Sequence, residues 1–318
     1  MTATETVLAV AATLLGAIVG SFLNVVVHRL PAGTFFSDGM RSVCANSQCK
    51  QPIPAYLNVP ILGWLLLRGR ARCCGQPISV RYPLVEALTA ALFLLLWLYP
   101  PYRTAVVGNE IDAAGLASFV FFAFFAANLV ANSFIDIDYR ILPDVLTKSA
   151  IAVGLVGSLV VPGLAGRFDL VGLSPASDSL LFSAAGSVVG FGLMQAIRKA
   201  AQLVFRRDAM GFGDVKLMAG IGAFVGPFDV ILTFFVGCVL GAVVGVVHRW
   251  LTKDAYICFG PFLAAGALVT LFAGSSLREG FEEWQRWQQA NASAPWVAVV
   301  GVVVSTVLLV VLVRRGRG

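Results

Sequence analysis

Charge is scarce in this chain. Only 13% of its 318 residues are Asp, Glu, Lys or Arg, about half the share found in soluble domains. Histidine is scarcer still, with His28 and His248 as the 2 present. No HExxH string occurs, so a metallopeptidase zinc site has no ligands, and a serine–histidine pair finds no serine in a persuasive setting. No glycine-rich loop after a strand offers a cradle for a nucleotide phosphate. No Lys or Arg precedes the first apolar run: residues 1–6 read MTATET, and the first cation is Arg29. With no small-residue cleavage site after the run, a removable signal peptide is excluded and a retained span is expected. Short alternating apolar segments are also absent, which excludes a closed transmembrane barrel. No internal repeat or low-complexity tract stands out.

What the chain has is apolar length. Hydrophobic residues make up 58% of it, and the mean hydropathy is +0.85. A water-soluble fold of this size cannot bury that much apolar surface, whereas a bilayer needs about 20 apolar residues per helix. Runs at 7–27, 84–99, 115–135, 146–162, 179–197, 215–226, 229–247, 258–273 and 295–313 predict about nine spans, with a break at Gly226-Pro227 between the sixth and seventh. The expected fold is an all-α polytopic transmembrane helical bundle with its N-terminus outside. The charges agree with that topology: of 23 Lys and Arg residues, only Arg103, Arg167, Arg278 and Arg286 fall on the outer side, a strong positive-inside bias. The net charge of +6 then reflects orientation and anionic lipid, with no call for nucleic acid.

The expected organisation is a first span at 1–27, a cytoplasmic cysteine loop at 28–82, a multi-span core at 83–273, and an outer loop plus an extra C-terminal span at 274–318. Trp284 and Trp287 in the outer loop suit an interface. Four of 6 cysteines, Cys44, Cys49, Cys73 and Cys74, share the first loop. Four thiolates there could hold a structural zinc that orders a coreless segment, or the loop could be metal-free; disulfides are not expected in a reduced compartment. Cys238 and Cys258, in or beside spans, read as packing.

Acidic residues at the membrane are expensive and functional unless they merely flank a helix end. They gather at two span ends on one face: Asp136, Asp138 and Asp144 in FIDIDYRILPD, and Asp214 in GFGDVKL. A close pair of carboxylates shares a proton, so that one member can activate water while the other polarises a carbonyl. Gly211 and Gly213 would let backbone approach a substrate, and Pro143 would end the turn after Asp136. The same acids could instead serve as caps, Asp144 as an N-cap in particular.

Five strings in order, GSFLNVVVHRLP, the cysteine loop, RYPLVE, IDIDYRILPD and GFGDVKL, resemble the prepilin peptidases, also called type IV leader peptidases, a group of GxGD aspartic proteases. FGPFLA at 259–264 is also similar. The resemblance covers residues 15–270 and implies Asp136 and Asp214 as the catalytic pair. Asp138, Asp144 and Lys216 are then supporting. It further implies a type IV prepilin or pseudopilin precursor as substrate, cut at the cytoplasmic face of the inner membrane without any cofactor. Many members also methylate the new N-terminus with S-adenosylmethionine; Asn24 and Glu86, in GSFLNVVVHRLP and RYPLVE, are the candidates there. The family usually shows two CxxC pairs. Here CANSQC and the adjacent Cys73-Cys74 depart from that spacing, with Asn46 and Ala71 where first cysteines are usual. A proton-coupled transporter and an inactive pilus-assembly scaffold are the alternative readings. Oligomeric state is not legible.

Overall fold

The computed structural model describes residues 3–35, 43, 44, 46, 48–100, 106, 107, 110–206, 210–252 and 258–290. Helices dominate: α1 (Ala3–Arg29), α2 (Leu62–Leu66), α3 (Arg81–Leu98), α4 (Ala113–Tyr139), α5 (Asp144–Val160), α6 (Pro175–Phe205), α7 (Phe212–Thr252) and α8 (Gly260–Ala290). Two-residue strands β1 (Val106–Val107) and β2 (Glu110–Ile111) pair antiparallel ahead of α4. Every expected run from 7–27 to 258–273 falls on a helix, within a residue or two at the ends. The ninth, 295–313, lies outside the described residues. Among the described residues, six helices, α1, α3, α4, α6, α7 and α8, are long and apolar enough to cross a membrane; α5, at 17 residues, sits at the lower limit of a spanning length. The molecule is an all-α, multi-pass membrane bundle.

Local chemistry sets the ends. Asp112 caps α4 by accepting from the backbone N–H of Gly115 at 2.8 Å and Ala114 at 3.4 Å, relieving donors that a helix start leaves unpaired. Ser174 caps α6, with Pro175 at the first helical position, where its missing N–H costs nothing. The far end of α4 is closed by Arg140, at φ 56°, whose N–H returns to the Asp136 carbonyl at 2.9 Å. That left-handed residue, rather than Pro143, ends the turn; Pro143 instead stands at the head of α5.

α4 is the hub, packing against α1, α3, α5 and α8. Its Phe125 stacks on Phe224 of α7 with ring centroids 4.4 Å apart, and Phe122, Leu129, Ile135, Leu217, Met218 and Ile221 are fully buried around them. α6 and α7 touch backbone to backbone: a Cβ on Gly222 would lie 2.1 Å from the Gly186 carbonyl oxygen. α7 breaks at Gly226, where φ 83° and ψ 177° are accessible only to glycine, and Pro227 follows without an N–H to continue the ladder. The expected division at Gly226-Pro227 is therefore borne out: α7 is two helical halves that meet at this break.

The segment 274–290, expected as outer loop, continues α8 as helix. Its apolar content falls away after residue 273, but Leu277, Glu279, Glu282, Glu283, Gln285 and Arg286 are good helix formers. Hydrophobicity ended there; helix propensity did not.

Candidate active site

One end of the bundle collects the C-terminus of α4 and the N-termini of α7 and α8. Asp136, in the last turn of α4, is buried. Its Oδ2 accepts the backbone N–H of Gly260, at the head of α8, at 3.1 Å. Its carbonyl oxygen takes the Arg140 N–H at 2.9 Å and the Cys258 thiol at 3.2 Å. Asp214 stands in the first turn of α7. The charge of Asp136 reaches Asp214, and both carboxylates act on the Cys258 thiol between the end of α7 and the start of α8. The two acids are 78 positions apart in sequence (136 to 214), yet the fold brings them into electrostatic reach at one mouth.

The glycines around Asp214 differ in their need. A Cβ on Gly213 would meet Leu142 Cβ at 2.8 Å, so glycine seats α7 against the α4–α5 turn. Gly211 has room, with the Asp214 carboxylate as its nearest neighbour at 3.7 Å. The close approach that spacing predicted is made by Gly213, and it is made to the protein itself.

Asp138 and Lys216 each follow a candidate acid by two residues, which turns them about 200° round the helix and away from the mouth. Asp138 pairs with Arg81 of α3, whose guanidinium lies 5.2 Å from the Phe134 ring centroid. Lys216 pairs with Asp144 of α5 and stacks 4.9 Å from the Phe212 centroid. Asp144 is no cap: Pro143 holds that position, and the Asp144 side chain serves Lys148, at 2.8 Å, and Lys216. Those two ammonium groups, Lys148 first, hold the Asp144 carboxyl down at about 2. These ion pairs therefore brace α4 and α7 from outside the mouth.

Sequence reasoning missed several polar groups. Asn128 and Asn132 lie two turns and one turn ahead of Asp136 on α4. Asn132 donates to Asn128 Oδ1 at 2.8 Å, and Asn128 donates to the Leu146 carbonyl of α5 at 3.0 Å. Their signal was an Asn-x3-Asn-x3-Asp stripe at helical spacing inside an apolar run. Gly260 gave no signal beyond belonging to FGPFLA.

The first loop has its own order. Bridges Val43–Pro52 and Arg70–Pro77 close two short knuckles that carry the cysteines. The four Sγ atoms of Cys44, Cys49, Cys73 and Cys74 lie within 4.8 Å of one another, with Cys44 to Cys74 at 3.7 Å and Cys73 to Cys74 at 3.9 Å. A tetrahedral zinc with bonds of about 2.3 Å spaces its sulfurs about 3.8 Å apart, so the donor set fits. The crowding is electrostatically tense: hydrogen bonding with Cys49 and then Cys44 pushes the Cys73 thiol up to about 12. The Gln76 backbone N–H draws Cys74 down to about 7. A divalent cation would relieve four thiolates that cannot otherwise ionise together. The loop is fastened to the spans where the Ile61 N–H donates to Glu86 Oε2 at 2.6 Å, with Ile61 held at φ 61°, an outlier for a β-branched residue. Glu86 also binds Ser21, and Asn24 donates to the Tyr82 carbonyl at 3.1 Å. Asn24 and Glu86 thus each make a bond within the protein, and both are buried.

A multi-pass bundle with two convergent carboxylates at a helix-end mouth has the form of an intramembrane aspartic peptidase. Comparison with known proteins agrees. Residues 14–99 match the bacterial peptidase A24 N-terminal domain, and residues 123–246 match the type IV leader peptidase family. The prepilin leader peptidase/N-methyltransferase of Aeromonas hydrophila is 34% identical over 301 residues, covering 86% of this chain and 91% of that protein. The type 4 prepilin-like proteins leader peptide-processing enzyme of Escherichia coli O78:H11 is 34% identical over 278 residues, covering 83% and 93%. The Neisseria gonorrhoeae prepilin leader peptidase/N-methyltransferase is 31% identical over 296 residues, covering 86% and 93%. No solved structure matches the chain. The chain belongs to the type IV leader peptidase family and is a membrane peptidase.

Proposed function

We propose that this enzyme removes the basic leader from a type IV prepilin or pseudopilin at the cytoplasmic face of the inner membrane, with Asp136 and Asp214 as a proton-sharing pair. The observation that supports the reading is that Asp136, bonded to the first amide of α8, and Asp214, in the first turn of α7, lie within electrostatic reach of each other. The positive-inside bias supports a mouth that faces the cytoplasm, where a precursor's apolar helix can lie in lipid while its polar leader reaches the site. Water attacks the scissile carbonyl as one carboxylate takes its proton and the other gives a proton to the carbonyl oxygen. Collapse breaks the C–N bond and returns a proton to the leaving amine. No metal or organic cofactor takes part in this cleavage.

Cys44, Cys49, Cys73 and Cys74 would hold a structural zinc, whose contribution is to order the loop rather than to react. Methylation of the new N-terminus from S-adenosylmethionine comes from the relatives' names, and no residue roles are assigned to it. Transport and scaffolding readings give way to the family membership.

Co-expression with a prepilin tests the cleavage. Asp136→Ala and Asp214→Ala each abolish leader removal while the protein stays membrane-inserted; normal processing by either variant refutes the pair.

A further inference from the structure

Resting on that dyad reading, we infer that the two aspartates are not interchangeable: Asp136 carries the negative charge and Asp214 the shared proton, and the Gly260 amide makes the difference. Gly260 opens the 31-residue helix α8, so its N–H is both an unpaired donor and the positive end of a helix dipole. That N–H meets Asp136 Oδ2 at 3.1 Å in a buried setting. The seat is built for a bare backbone: a Cβ on Gly260 would stand 2.6 Å from the same Oδ2. A hydrogen bond to a charged acceptor is stronger than one to its neutral form, so the contact holds Asp136 ionised.

Asp214 has no such donor among the described residues. Lys216, the cation nearest to it in sequence, is committed to Asp144. Asp214 gains a favourable helix field in the first turn of α7 and Asp136 an unfavourable one in the last turn of α4, but a direct N–H bond to a charged acceptor outweighs the two fields together. Among the described residues, the other groups facing the pair are Cys258, whose thiol is given to the Asp136 carbonyl rather than to a carboxylate, and Arg140, whose N–H goes to that same carbonyl and whose cation reaches the Cys258 thiol.

The roles follow. Asp136 takes a proton as water oxygen bonds to the scissile carbon, and Asp214 passes its own proton to the carbonyl oxygen. When the C–N bond breaks, the proton on Asp136 goes to the amine, and Asp214 regains one from the hydroxyl. Gly260 acts as a positioning residue that touches the charge and not the substrate.

Two reagents read the charge residue by residue on the full chain in detergent. An epoxide is opened by an ionised carboxylate, and a copper-activated diazoacetyl ester modifies a protonated one. Peptide mapping by mass spectrometry is expected to find the epoxide ester on Asp136 and the diazo ester on Asp214, each blocked by a prepilin peptide. In Gly260→Ala, epoxide labelling of Asp136 falls roughly tenfold, as for a shift of about one pKa unit, in protein that still unfolds cooperatively. Reversed labels, both esters on both residues, neither residue labelled, or Gly260→Ala labelling like the parent each overturn the assignment. The dyad reading fails separately, if D136N or D214N still cleaves.

Discussion

Asp144 shows how a charged residue beside a site can belong to the scaffold. Its carboxylate binds Lys148 on its own helix and Lys216 on α7, and it sits at about 2, below the usual value of about 3.9. A carboxyl depressed on folding adds stability above its unfolded value and loses it as the pH falls through its folded one. Asp144→Asn is therefore expected to lower the thermal midpoint at neutral pH, with the gap to the parent closing between about pH 4 and pH 2. A gap unchanged at the acid end would show that Asp144 acts otherwise. The acids at 136 and 214 were legible because charge inside apolar runs is rare. A two-residue offset on a helix already turns Lys216 from Asp214. Gly260 could not be found this way, since a glycine that matters for its amide looks like any other glycine.

Among elements, the α6–α7 pair is the most demanding, because it has removed side chains to bring two backbones together. Gly186 and Gly222 each stand against the other's carbonyl, and Ser183 bonds the Ala223 carbonyl at 2.7 Å beside them. Gly222→Ala would force the helices apart at the root of the α7 half that begins with Asp214, at a cost of about 3 kcal/mol. Thermal unfolding in detergent reads this as a lower midpoint; an unchanged midpoint would mean that the helices separate freely. The apolar runs located these helices well, since burial in lipid and burial in the bundle impose the same composition. They failed at 274–290, where α8 leaves the apolar zone without leaving the helix. They also could not show that α4 would be the hub, because partners depend on shape at contacts far apart in the chain.

At the scale of the whole molecule, the cysteine loop is the part with least hydrophobic support. Its order comes from two bridges, the Ile61–Glu86 bond and the Trp64 indole N–H to the Ile78 carbonyl at 3.0 Å. Metal analysis of purified protein is expected to give about one zinc per chain, and chelation to lower the melting point and expose the four thiols to alkylation. A metal-free sample with protected thiols would remove zinc from the account. Spacing alone left this loop ambiguous, since CANSQC and Cys73-Cys74 depart from paired CxxC. The converging sulfurs depend on the turns at 46–50 and 71–76, which sequence spacing does not specify.

The buried Asp229, just past the Gly226 break, finds its counter-charge on Arg278, 2.8 Å away on α8. Cutting the chain anywhere ahead of that arginine would strand a carboxylate among apolar neighbours, a penalty of about 2 kcal/mol, softened because Arg278 is half exposed. A minimal version trimmed to the family-matched region, which ends at residue 246, would thus lose a counter-ion as well as a helix, and is expected to melt below a version that extends through residue 278.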